Sequence, residues 1–168
     1  MEFVRLLKRI VEWFGALAGW MNVALILVIC VDVALRYVFQ MTRIWVIELE
    51  WHLFGAAFLL GGAATLLADR HVRVDIFYQR MPHRWRVVVD LVGYLLLLIP
   101  WSLLILNLGW DYVRHAWQQG EGSPNPGGLP YYFIIKSTIL IGFGLMIIAG
   151  MVRVVELLKG LGKWSTSR

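Results

Sequence analysis

The chain has 168 residues, 60% of them apolar and 16% charged, with a mean hydropathy of +0.68 and a formal net charge of +5. A soluble domain of this size could not cover its surface with so few polar side chains, and the basic excess sits at the ends of apolar stretches, so the charge marks membrane topology and not a nucleic-acid partner. One cysteine, Cys30, excludes an intrachain disulfide and any cysteine-cluster metal site, and packs as a small apolar residue.

Four stretches lack a formal charge: nineteen residues between Glu12 and Asp32, eighteen between Glu50 and Asp69, twenty between Asp90 and Asp111, and sixteen between Lys136 and Arg153. A hydrocarbon core about 30 Å thick takes roughly 20 helical residues to cross, fewer where flanking Lys or Arg snorkel. The sequence therefore predicts an all-α integral membrane protein in one membrane domain over 1–168, with spans over 10–36, 44–68, 87–113 and 131–155.

The first span follows a basic start but is too long for a signal h-region and has no small-x-small cleavage site, so it is expected to be retained. Gly15 and Gly19 form a GxxxG within it. Near its end Asp32 and Arg36, at i and i+4, can neutralise one another beside hydrocarbon. Thr42 is a candidate N-cap for the next helix. Ile44, Ile47 and Trp51 fall at i, i+3 and i+7, which predicts a short interfacial helix leading into the second span. Trp45, Glu48, Glu50 and His52 share this stretch; with Asp32 and Arg36 they read either as interfacial ion pairs or as contacts to a partner subunit.

The second span is crowded by Ala57, Gly61, Gly62, Ala63 and Ala64, a face for close helix packing within the chain or against a larger subunit. The third holds Pro100, expected to kink it, with Ser102 or a neighbouring helix compensating the freed backbone. The segment 118–130, with three prolines and four glycines, is a string of exposed turns; it serves as a linker or as a contact for a soluble protein. The fourth span carries Gly142, Gly144, Ala149 and Gly150.

Twelve of the sixteen basic residues fall on one side of this alternation, leaving Arg36, Arg43, Arg114 and Lys136 on the other. The positive-inside rule then puts both termini and the 69–90 connection in the cytoplasm. Deep polar residues are few: Asn22, Thr65, Ser102, Asn107, Ser137 and Thr138, each explicable by a bond to backbone. Transport chemistry needs ionisable groups or broken helices at the midplane, so this chain by itself is not expected to transport. His52 and His115 leave open a haem-bearing respiratory anchor as an alternative, while a proton-driven exporter lacks its mid-depth acid.

Arg36-Tyr37-Val38-Phe39, Trp45, Glu48-Leu49, Leu60-Gly61-Gly62-Ala63-Ala64 and His71-Val72-Arg73-Val74-Asp75, in this order and spacing, resemble the small membrane subunit of tripartite ATP-independent periplasmic (TRAP) transporters, the DctQ family. The likeness covers about Arg9 to Leu158; Leu140-Ile141-Gly142 departs from it in lacking a proline before the glycine. The resemblance implies a bacterial inner-membrane scaffold with no enzyme activity and no cofactor. Its partners would be a large membrane subunit that imports an organic acid or related solute with sodium, a periplasmic substrate-binding protein, and the bilayer. It further implies large-subunit or structural contacts at Asp32, Arg36, Trp45, Glu48, Glu50, Gly61 and Gly62, and a cytoplasmic turn at His71, Arg73 and Asp75. Arg114, Glu121 and Asn125 are candidate contacts for the binding protein.

Overall fold

In the computed structural model, residues 2–68, 78 and 80–165 are described, and every regular element among them is helical. Helix α1 runs Glu2–Tyr37 and α2 Ile44–Leu67. The third rod comprises α3, His83–Val92, a π-helical stretch Gly93–Leu98, and α4, Ile99–Gln118; α5 spans Phe133–Ser165. Four rods are long and apolar enough to cross a membrane. They follow the four charge-free stretches because each stretch, once in hydrocarbon, can satisfy its backbone only by coiling on itself.

The rods form a layer in the order α1, α2, α5, third rod. Helix α1 packs mainly on α2, the third rod packs on α5, and α5 touches all the others. Accordingly 33% of the apolar window of α5 is buried, against 6% in α1. The core is small: Val11 and Ala18 from α1, Leu60, Ala63 and Leu66 from α2, Tyr94 from the π stretch, and Leu145 and Ala149 from α5. Most large apolar side chains face outward, Trp20 and Trp101 among them, as suits a protein whose solvent is lipid. Cys30 is likewise exposed on α1.

Close approach depends on missing side chains. A Cβ on Gly15 would lie 2.5 Å from that of Ala64, and one on Gly142 would lie 2.8 Å from the backbone oxygen of Leu59. Gly19, the other half of the α1 motif, meets nothing within 4 Å. At the end of the bundle where the termini meet, Lys8 pairs with Glu156 across α1 and α5. The opposite end carries the 38–43 and 119–132 connections and is called the loop end below.

One local expectation is corrected. Helix α2 is capped at Arg43, which has extended backbone and makes no side-chain cap bond; Thr42 stands one residue too early to cap it. At Pro100 the structure adds a π-helical stretch, Gly93–Leu98, just before the proline. Pro100 lacks an N–H, so the α-helical bond to the carbonyl four residues back cannot form, and widening the preceding turn re-registers the ladder. The stretch preceding Trp51 is the first part of one continuous helix, Ile44–Leu67.

Candidate functional site

The most elaborate polar structure lies at the loop end. Helix α4 closes with a Schellman turn: the Glu121 N–H bonds the Ala116 carbonyl at 3.0 Å and the Gly120 N–H bonds Trp117 at 3.2 Å, with Gly120 at φ +58°. That left-handed residue is the reason a glycine follows the helix. The chain then crosses to α5 through a narrow loop tied by Ser123 N–H to the Leu129 carbonyl and Tyr132 N–H to the Glu121 carbonyl, at 2.9 and 2.7 Å. Its tip turns through Asn125 and Gly127, the latter at φ +77°.

Glu48, in the first turns of α2, fastens this loop. It is buried, and its carboxylate accepts from the Ser123 hydroxyl, from the Leu129 N–H at 2.6 Å and from the Asn125 amide at 3.4 Å, with the Tyr132 hydroxyl also in reach. A Cβ on Gly128 would run into Ser123 and come within 2.7 Å of Glu48 Oε2, so only glycine lets the loop backbone close on the acid. A second fastening joins the loop to α5. Lys136, nearly buried, donates to Glu121 Oε2 at 2.5 Å, with its ammonium 3.8 Å from the centre of the Tyr112 ring. Tyr132 meets the rings of Trp51 and His52 edge-to-face beside these bonds, and His52 Nδ1 contacts the Glu48 carbonyl at 2.6 Å.

The residues singled out in the sequence separate into three groups. Glu48, Glu121 and Asn125 belong to this fastening, so part of their polar capacity is used within the chain, while Arg114 and Trp45 remain exposed. Asp32, Arg36 and Glu50 gather at the α1–α2 junction: Asp32 is buried and accepts from Arg36, and both their charges act on Glu50. Gly61 faces Ala18 and Gly62 faces Met146. His71, Arg73 and Asp75 lie outside the described residues. Sequence reasoning missed Ser123, Leu129 and Tyr112 as partners; a buried lysine beside an acidic, Ser/Asn-bearing loop was the available signal.

A groove of about 850 Å³ runs along the α1, α2 and α5 surface, lined by Gly15, Gly19, Asn22, Gly61, Thr65 and Met146 among others. Glu12 of α1 also lines it. Of its other polar members, Asn22 and Thr65 bond their own helices, Asn22 donating to the Ala18 carbonyl at 2.9 Å and Thr65 to Gly62 at 2.7 Å. The same holds for Ser137 and Thr138 on α5, at 2.6 Å each. Apart from Glu12, the lining is therefore largely apolar to anything that enters it, suited to a helix or lipid.

A family model described as tripartite ATP-independent periplasmic transporters, DctQ component, matches residues 25–160. The C4-dicarboxylate TRAP transporter small permease protein DctQ of Vibrio cholerae serotype O1 is 26% identical over 113 residues, 64% of this chain and 48% of that protein. The match thus spans about half the length of that relative.

Proposed function

The chain belongs to the DctQ component family of tripartite ATP-independent periplasmic transporters, and from that premise we propose that it is the scaffold subunit that pairs with and braces a large transport subunit. The family membership makes it a membrane component of a transporter and displaces the haem-anchor alternative. We propose further that the large subunit couples import of an organic acid or related solute to sodium. The loop end would then face the periplasm, where the fastened 119–132 loop and the exposed Arg114 offer a rigid surface to the binding protein. The bias of basic residues towards the terminal end supports that orientation.

The observation that carries the scaffold reading is the groove. Glycines and alanines make up much of its wall, Asn22 and Thr65 are already bonded to their own backbones, and Glu12 is its one ionisable lining residue, so it offers a partner helix close van der Waals contact. Gly19 gives the test, because an added Cβ there meets nothing within 4 Å inside this chain. Gly19→Leu is expected to leave the helicity and melting temperature of the isolated subunit unchanged while reducing co-purification of the large subunit at least about tenfold, the equivalent of losing roughly 1.4 kcal/mol of association. Undiminished co-purification would show that the partner sits on another face.

A further inference from the structure

The α1 wall of the groove is a stripe of Glu12, Gly15, Gly19 and Asn22, at i, i+3, i+7 and i+10, so these residues follow one another along one face of the helix. The glycines are bare and Asn22 bonds its own backbone; the residue nearest the terminal end is an acid. Helices α1 and α2 close on one another beside it, where a Cβ on Gly15 would lie 2.5 Å from that of Ala64, and Glu12 stands exposed on the groove's rim with Ala68 of α2. The chain's own cations nearby are engaged elsewhere or lie off the groove. Lys8, four residues before Glu12, pairs with Glu156 of α5, which also receives Arg153 at 3.6 Å. Neither Arg5 nor Arg9 lines the groove.

We propose that Glu12 sets the depth and direction of the helix seated in this groove by pairing with a lysine or arginine on it. The inference rests on the groove being the seat of the large subunit, and it adds the chemistry that must face the acid. A helix close enough to touch Gly15 and Gly19 lies over Glu12 as well, because the three share one stripe. It takes water from the carboxylate, and an anion desolvated at the edge of the hydrocarbon is strongly disfavoured unless an opposite charge meets it. The depth suits such a pair: Glu12 borders the nineteen-residue charge-free run and adjoins the exposed Trp13, where a long basic side chain reaches the headgroup layer. In the orientation proposed above that end is cytoplasmic, the side on which a partner's lysines and arginines also collect. The same acid counts against an anionic lipid as the occupant. An apolar groove alone lets a helix slide or reverse. One charge pair at one end forbids both, since a slip by a single turn, about 5.4 Å, or a reversal leaves the acid without its cation.

The test is co-purification of the large subunit from membranes holding both subunits. Glu12→Lys sets like charges face to face and is expected to lower the yield at least about tenfold, with Glu12→Gln acting in the same direction but more weakly. Because Glu12 is exposed in the isolated subunit, both variants should keep its wild-type helicity and melting temperature. Charge reversal is the decisive step. With E12K in place, the lysines and arginines at the matching edge of the large subunit's helices are changed to glutamate one at a time; one such change is expected to restore co-purification with E12K and to weaken it with the unaltered small subunit. Should E12K melt lower on its own, E12Q decides alone, and an undiminished yield overturns the proposal. If Gly19→Leu loses the partner while E12K and E12Q keep it in full, the helix sits in the groove and Glu12 does not place it. If E12K loses the partner and no reversal restores it, the contact is not a charge pair. Either result overturns the proposal and leaves the groove reading standing, whereas full co-purification in G19L removes the groove reading and this proposal with it.

Discussion

Replacing Glu48 with glutamine, the nearest isostere, is expected to release the 119–132 loop from the helical layer. Glutamine keeps one acceptor for Ser123 and Asn125 but turns the other oxygen into an NH₂ group, which then confronts the Leu129 N–H, donor against donor, where the carboxylate now accepts at 2.6 Å. The other ties, the Lys136–Glu121 pair and the Tyr132–Glu121 backbone bond, hold the base of the loop, whereas its tip residues 124–127 are exposed. Amide hydrogen exchange at Leu129 should rise at least about tenfold, and protease sensitivity should appear within 122–130, because local opening sets both rates. Helical content should not change, since Glu48 lies in the first turns of α2 and contributes nothing to the packing of the core around Leu60 and Leu145. Ser123→Ala removes one donor of several and should act in the same direction but more weakly. If the Leu129 amide stays as protected in E48Q as in wild type, Glu48 is not what holds the loop. Should the loop also be the surface that meets the binding protein, uptake by the assembled transporter will fall in E48Q while the two membrane subunits still co-purify, a separation that a general folding defect would not produce.

What the sequence revealed, and what it hid, follows the range of the forces involved. The four rods were legible because each depends on a local property: a charge-free run of bilayer length has one way to satisfy its backbone. The loop at 118–130 was legible for the same reason, since proline and glycine act on their own φ and ψ. The Asp32–Arg36 pair could be read from its i, i+4 spacing, and the structure forms it. The Glu48 fastening could not, because its partners lie 75 to 81 residues away in sequence and are brought together only by the way α2, α4 and α5 pack. The sequence offered Glu48 a subunit-contact or structural role and Glu121 a contact role; the structure adds that Glu48 is buried against the loop and that Glu121 is engaged by Lys136. The Thr42 cap failed for a smaller reason: capping geometry is set to within one residue, and the chain enters the helix at Arg43. At Pro100 the missing donor was foreseen, but composition does not show that the preceding turn widens to a π-helical stretch.

Substitutions at the two tightest glycines should separate backbone contact from side-chain contact and show how rigid the layer is. At Gly15 an added methyl would meet the Ala64 Cβ at 2.5 Å. The obstacle is a side chain, so Gly15→Ala alone should destabilise the α1–α2 pairing by about 1–3 kcal/mol, the usual range for overpacking, and Ala64→Gly in the same chain should restore most of the loss. At Gly142 the added methyl meets the backbone oxygen of Leu59 at 2.8 Å, with the carbonyl carbon and Cβ at 3.1 Å. Trimming Leu59 to alanine leaves that carbonyl in place, so Leu59→Ala should fail to rescue Gly142→Ala, and the double variant should be less stable than either single one. The checks are double-mutant cycles read from denaturant-induced unfolding in micelles: a strong favourable coupling for the first pair and none for the second. Rescue of Gly142→Ala by Leu59→Ala would mean that α2 and α5 can slide apart by a few tenths of an ångström without penalty. Since α5 is the helix against which all the other rods pack, a layer that gave way there would be a poor brace, and the scaffold reading would weaken with it.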